Sequence, residues 1–466
     1  MRSRTLYLTA LLATIFLVLL VAATLATRGT RASPGTTLYV STDGVCQGNS
    51  PCYTNVQEAL DDAATDDEIR VATGTYTDTA YTVAEITETI TLQGGWNADF
   101  SARNPTLYPT TLDAQGLGRV IQITGSISPT IEGFIITAGR ANAEDVGRGR
   151  GGGIYSTGAA PIIQHNVITN NLANQDLYQQ AWGGGIYLEN ASALALISGN
   201  TIISNAATSP YAASGGGLCI FTSSGVKVIG NEISNNTTYG EIGSAGGIWV
   251  WDSESITFSE NKIIHNTSSS PYDAEAGGGL RIDRTSPFTL TNNIIAQNNA
   301  KFGSGIYVYG SWQPGQLANG SLTNNTIAQN NPDYGWGILL EGWGTLTLTN
   351  NIVVTHTYGI YAGDNATIMA DYTLFFGNTS GDTWGPITST HEVSGDDPLF
   401  LNPSAWDYHI QVASPAVNKG TFTGAPAVDF EGDARPYDCF IDIGADENTA
   451  SDYCKRIYLP LILKNY

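Results

Sequence analysis

Seven times between residues 151 and 356, a glycine cluster and an aliphatic residue lead, after a short gap, to the pattern N-x-I-x-x-N. The aliphatic starts are Ile154, Ile186, Leu218, Ile248, Leu280, Ile306 and Ile338. The answering asparagines are Asn166, Asn200, Asn231, Asn261, Asn293, Asn325 and Asn351, and the last copy has drifted to end at His356. Self-similarity at a period of about 30 residues means stacked units, each too small to bury its own apolar face. The chain must therefore fold as a solenoid.

The parity of each unit can be read directly. Two residues after each start stands a second, mostly aliphatic column, including Leu188, Ile220, Val250 and Ile282. Strand side chains alternate, so both columns face inward. Two further inward columns run through Ile163, Ile197 and Val228, and through Ile168, Ile202 and Ile233. Three inward strands per turn, with glycine or asparagine corners, describe a parallel β-helix. Parallel crossovers are right-handed in nearly all proteins, so that hand is expected. The asparagines form two columns, the second running from Asn171 to Asn330. Asparagine tolerates left-handed corners, and stacked amides can bond from coil to coil. Their role is thus structural.

Charged residues make up only 13%, glycine is abundant at 53, and the formal net charge is −22. Such a surface repels nucleic acid and anionic membrane, which excludes both as partners and leaves neutral glycans or bound cations compatible. Met1-Arg2-Ser3-Arg4 followed by an apolar run to about Ala26 reads as an export signal, with an uncleaved anchor as the alternative. Cys46 with Cys52 and Cys439 with Cys454 are local pairs that suit disulfides in an exported protein. Cys219 is left over as a packing residue. A helix over about Thr54–Ala64, with Thr54 as N-cap and Gln57 as capping-box partner, is placed to cover the open N-terminal end.

The outward positions of the first strand pair as Tyr155/Thr157, Tyr187/Glu189, Cys219/Phe221, Trp249/Trp251, Arg281/Asp283, Tyr307/Tyr309 and Leu339/Glu341. They make an aromatic ribbon with charges set among the rings, which suits the mixed apolar and hydroxylated faces of sugars. The loops before Tyr187, Cys219, Trp249 and Arg281 are long and carry Tyr178, Trp182, Tyr211, Tyr239, Glu241, Tyr272, Asp273 and Glu275. They emerge at one corner and are expected to wall the ribbon into a groove, or else to cover it. The insert Tyr309–Gly320 adds Trp312 on the far side. For catalysis, Arg281 with Asp283 is the one arginine–carboxylate pair, and Glu341 is the next carboxylate in reach. The five histidines show neither metal-ligand nor triad spacing.

The segments Leu38-Tyr-Val-Ser, Ile69-Arg-Val-Ala-Thr-Gly-Thr-Tyr, Gly94-Gly95-Trp96 and Thr111-Leu-Asp-Ala-Gln-Gly, with the repeats, resemble the pectin-lyase-like superfamily of right-handed β-helix proteins over about residues 37–376. The Gly-Gly-Gly-Ile-Tyr and asparagine units are also similar to repeats of polymorphic outer-membrane adhesins. The N-T-D and G-H-G motifs of polygalacturonases are missing, and a pectate-lyase calcium cluster does not map. The resemblance therefore implies the fold and carries over no catalytic residue. The stretch Asp397-Pro-Leu-Phe to Asp442-Ile-Gly-Ala-Asp-Glu is similar to a module that closes many exported bacterial β-helix proteins.

The expectation is thus an all-β chain: a right-handed parallel β-helix with an N-terminal capping helix and a small C-terminal module. Its divisions are an export segment 1–32, the β-helix 33–395, the closing module 396–450 and a tail 451–466. The leading function is a monomeric, secreted or cell-surface protein that binds polysaccharide through Tyr187, Glu189, Trp249, Trp251, Arg281, Asp283, Tyr307 and Tyr309. A polysaccharide lyase or glycoside hydrolase in the same groove is the alternative, with Arg281, Asp283 and Glu341 as catalytic candidates. An adhesin for protein is the third reading. No cofactor is predicted, and Ca²⁺ is left open as a bound ion.

Overall fold

A computed structural model describes residues 35–77, 82–142, 149–174, 180–271, 276–311, 313–331 and 335–450. The export segment, the tail with Cys454, and Tyr178, Tyr272, Asp273, Glu275 and Trp312 lie outside the described residues.

The strands stack into three long parallel sheets of fourteen, twelve and eleven strands, one strand of each per coil. The registers follow the repeat: Ile154 pairs Ile186, Leu218 pairs Ile248, and Leu280 pairs Ile306. The inward aliphatic columns form one continuous core from Leu38 to Phe375. Each coil adds a layer of fully buried aliphatic side chains, and its strands pair in parallel register with those of the neighbouring coils. That combination suits a chain with few charges and no large globular core.

The two asparagine columns run through the stack as hydrogen-bonded ladders. Asn231 Nδ2 donates to Asn261 Oδ1 at 3.0 Å, and Asn261 Nδ2 donates to Asn293 Oδ1 at 3.0 Å. The backbone N–H of each also donates to the next side chain, as Asn231 N does to Asn261 Oδ1 at 3.0 Å. The left-handed corner residue is not the ladder asparagine but the residue before it: Glu260 (φ 58), His265 (φ 55), Asn292 (φ 55) and Gln297 (φ 54). The ladder asparagines are instead buried connectors, placed by that turn to point into the wall of the solenoid. His356 takes the next rung of the second ladder, with its Nε2 3.2 Å from Asn330 Nδ2, and the ladder runs on to Asn378, whose Oδ1 accepts from His356 N at 3.1 Å.

The N-terminal helix spans Val56–Asp62, and its N-cap is Asn55 rather than Thr54. Asn55 Oδ1 accepts from Glu58 N at 2.8 Å, so the capping contact falls one residue later than expected. Asparagine caps at least as well as threonine, and Asn55 holds the extended conformation a cap needs. The helix buries Val56, Ala59 and Leu60 against the core. A disulfide joins Cys46 and Cys52 beside it.

The long loops fold into two further parallel sheets. One has five strands, from Arg140–Ala141 to Thr267–Ser269, and one has three: Gln180–Trp182, Ala212–Ser214 and Ile242–Ser244. They pack on each other through Ala173, Ala181, Ala207 and Ala213, where only small side chains fit. After the core ends, the C-terminal residues lie alongside the solenoid. Tyr408, Ile410, Ala416, Ile443 and Ala445 cover outward aliphatics of the twelve-stranded sheet, among them Ile264, Ile294, Ile352 and Leu374.

Candidate functional site

The eleven-stranded sheet carries the ribbon in the expected register. Tyr155, Tyr187, Cys219, Trp249, Arg281, Tyr307 and Leu339 form one outward column, and Thr157, Glu189, Phe221, Trp251, Asp283, Tyr309 and Glu341 form the next. The two columns have different fates. In the first, Tyr187 and Cys219 are 0% exposed, Trp249 is 5% and Tyr307 is 8%. Tyr187, Trp249 and Tyr307 therefore do not line an open groove. The reason for the first two is the three-stranded loop sheet, which lays Trp182 on the ribbon. Its ring stacks on Tyr187 at 6.2 Å and lies 5.4 Å from Trp249. Arg150 caps this cluster, sitting 4.4 Å above Trp182 and 3.6 Å from a Glu189 oxygen. Burial pushes the Cys219 thiol well above its ordinary value, which makes it an inert packing residue.

Arg281 and Asp283 form a closed arrangement. Asp283 is 0% exposed. Its Oδ2 accepts from Arg281 Nε at 2.8 Å and from Trp249 Nε1 at 2.6 Å. Arg281 Nη1 donates to Ser244 Oγ at 2.9 Å, and the guanidinium lies 4.8 Å from the Tyr307 ring. Burial works against the arginine's charge, but Asp283 and Tyr307 outweigh it and hold the pKa above its ordinary value. A base needs the opposite shift. Asp283 has its acceptor capacity taken up by Arg281 and Trp249, so this pair does not fit Ca²⁺ either. Among the described residues there is no group of three or more His, Cys, Asp or Glu that could hold a metal ion.

The second column is half-exposed at Glu189, Phe221, Trp251, Tyr309 and Glu341. The residues that follow it turn the corner of each coil, and here two clefts open. The first, about 460 Å³, is lined by Thr222, Ser224, Asp252, Glu254, Arg284 and Gln316, among others. Thr222, Asp252 and Arg284 all have positive φ, which swings their side chains out of the sheet. Arg284 lies 4.1 Å above the Trp251 ring, and its Nε has no partner among the described residues. The insert after Tyr309 brings Gly315, Gln316 and Leu317 to the rim. The second cleft, about 580 Å³, holds Glu341, Tyr361, Asp364, Asn365 and Trp384. Tyr307 donates its hydroxyl to Glu341 Oε2 at 2.6 Å.

Sequence reasoning missed the corner residues Asp252, Glu254, Arg284, Asp364 and the ring of Trp384. The available signal was a polar residue recurring just after the second column, at Asn190, Thr222, Asp252 and Arg284. Trp384 sits on a strand whose coil has lost the repeat's letters, Gly381–Trp384.

A family described as "Right handed beta helix region" matches residues 152–317. No curated protein matches the sequence. Among solved structures, the pectate lyase Pel9A is similar with a TM-score of 0.52 and 12% identity, over 89% of this chain and 97% of that one. An alginate lyase from Paenibacillus sp. str. FPU-7 is more distant, with a TM-score of 0.32 and 14% identity over 76% of this chain and 99% of that one. The likeness to Pel9A is one of fold. Stacked parallel sheets, the repeat and the family match agree, and the chain is a right-handed parallel β-helix protein.

Proposed function

We propose that this protein is secreted or displayed at the cell surface and binds an extracellular polysaccharide along one edge of the eleven-stranded sheet. The observation that carries the reading is the placement of the two clefts. Both open at the same corner of the coil, on either side of the insert that follows Tyr309; the second sets Glu341 and Asp364 beside the Tyr361 and Trp384 rings, and the first sets Asp252 and Glu254 beside Arg284, which lies over the Trp251 ring. Five strand steps separate Trp251 from Trp384. At about 4.8 Å per step the edge is about 24 Å long, room for a run of several sugars. Rings with nearby hydroxyl and carboxylate partners suit the two faces of a pyranose. Of the residues expected to bind, Glu189, Trp251 and Tyr309 stay on this surface, and Tyr187, Trp249 and Tyr307 support it from beneath.

The test is a glycan array followed by calorimetry on the full chain, with Trp251→Ala and Trp384→Ala made singly and together. Each single variant should weaken binding about tenfold, in line with loss of one stacked ring; Trp384→Ala should leave the melting curve unchanged, and Trp251→Ala should lower it, because that ring also packs on Trp249 and under Arg284. Undiminished binding by the double variant would show that the ligand sits elsewhere. A glycoside hydrolase is the second reading, favoured by Glu341 and Asp364 sharing one cleft. Release of reducing ends, abolished by Glu341→Gln, would establish it. A lyase using Arg281 is disfavoured by the closed pairing of that side chain.

A further inference from the structure

We infer that the cleft beside Glu341 takes a saccharide unit bearing a free ammonium group, so that the polymer is an amino-sugar polysaccharide. The inference rests on the polysaccharide reading above and gives it a ligand class. Six charged side chains stand in the second column and the residues just after it: Glu189, Asp252, Asp283, Arg284, Glu341 and Asp364. Glu189 is paired with Arg150, Asp283 with Arg281, and Asp252 with Arg284. Glu341 has no ion-pair partner among the described residues, and neither has Asp364. The residues that line their cleft include no Lys, Arg or His.

The chemistry of the cleft fits one kind of occupant. At about 580 Å³ it is the size of a small organic ligand site and far larger than a bare ion needs. Glu341 is anchored through Oε2 by the Tyr307 hydroxyl, which leaves Oε1 as an acceptor. An ammonium group donates three N–H bonds, and charge-assisted bonds to carboxylates are about twice as strong as neutral ones. Tyr361 and Trp384 supply ring faces, and Trp384 is 55% exposed. A cation beside such rings is attracted to their faces as well. A polyuronate would place its own carboxylates against Glu341 and Asp364, on a protein whose net charge is already −22. An N-acetylated sugar would bring a neutral amide and lose the charge-assisted bonds.

The experiment is calorimetry on the full chain with short oligomers of glucosamine, N-acetylglucosamine and galacturonate, at about pH 6, where carboxylates are ionised and an aliphatic amine is charged. The glucosamine oligomer should bind about tenfold or more tighter than either other ligand, and the gap should shrink as salt is raised. Glu341→Gln and Asp364→Asn should each cut glucosamine binding severalfold with the melting curve unchanged. Equal or tighter binding of the N-acetylated or uronate oligomer would overturn the inference. So would loss of binding in Trp384→Ala with no effect of Glu341→Gln and Asp364→Asn, and both results would leave the edge as a polysaccharide site. Failure of all three oligomers and of every other glycan on the array would overturn the inference together with the edge reading.

Discussion

Replacing Asp283 by alanine is the perturbation that separates a structural acid from a site acid. The carboxylate is fully buried and accepts from Arg281 Nε at 2.8 and 3.0 Å and from Trp249 Nε1 at 2.6 Å. Its removal strands a cation and an indole N–H. Breaking a buried ion pair on one side costs about 3–5 kcal/mol. The Arg281 side chain keeps 16% of its surface in water, which argues for the lower end, about 3 kcal/mol. The orphaned Trp249 N–H adds about 1 kcal/mol, so the expected loss is about 4 kcal/mol. Asp283→Asn keeps an acceptor for Trp249 and should cost about half as much. Replacing both members at once, Arg281→Met with Asp283→Leu, should cost only about 1–2 kcal/mol, chiefly for the indole. Guanidinium unfolding gives the totals, and amide exchange along Ile248–Trp251 reports the local loss. An Asp283→Ala protein as stable as the parent but unable to bind or turn over glycan would refute the structural assignment.

Two further outcomes follow from the ladders and the C-terminal module. Asn261→Ala removes the acceptor of the buried Asn231 N–H and the donor to Val228 O, and should cost about 3 kcal/mol. Adding Asn293→Ala should cost less than a second full increment, because the pair shares the 3.0 Å amide bond between them; strict additivity in a double-mutant cycle would contradict this. The module should loosen as pH rises. Burial, with Glu447 next to it, lifts Asp442 to about 7, and burial lifts Asp446 to about 6. Carboxyls raised in the fold stabilise it fully in acid and lose that contribution as pH climbs from about 4 to about 7. For His409, burial opposes the charge, but Glu431 and Asp407 outweigh it and lift the pKa to about 9. Its contribution is full below about 6.5 and is lost through about 9. All three shifts act in one sense, so a denaturation midpoint for the module that rises between about pH 5 and 9 would contradict the assignment.

Much of the scaffold could be read in advance because a strand has a strict period of two. That parity sorted Ile186 and Leu188 from Tyr187 and Glu189, and the observed register agrees residue for residue. Glycine corners and buried amides were legible for a similar reason, since each solves a backbone problem that recurs at every turn. The site was less legible. Which outward rings meet water depends on where Trp182 lands, and that depends on loops whose own pairing into small sheets has no strong local pattern. Tyr187 and Trp251 look alike as sequence, yet one is sealed and the other half-open. The clefts depend on corner residues such as Asp252 and Arg284, whose importance comes from positive φ and from an insert arriving from another coil.

The amide ladders have a consequence for how such a molecule can change length. Every coil between Asn166 and Asn330 offers the same donor upward and the same acceptor downward. A duplicated or deleted coil would therefore meet its new neighbours on the terms its old ones offered, and the core would close without redesign. The surface edge would grow or shrink by one strand spacing, about 4.8 Å, at each such event. The protein thus behaves as a ruler whose marks are interchangeable, and the only parts that give a mark its own identity are the loops and corner side chains attached to it.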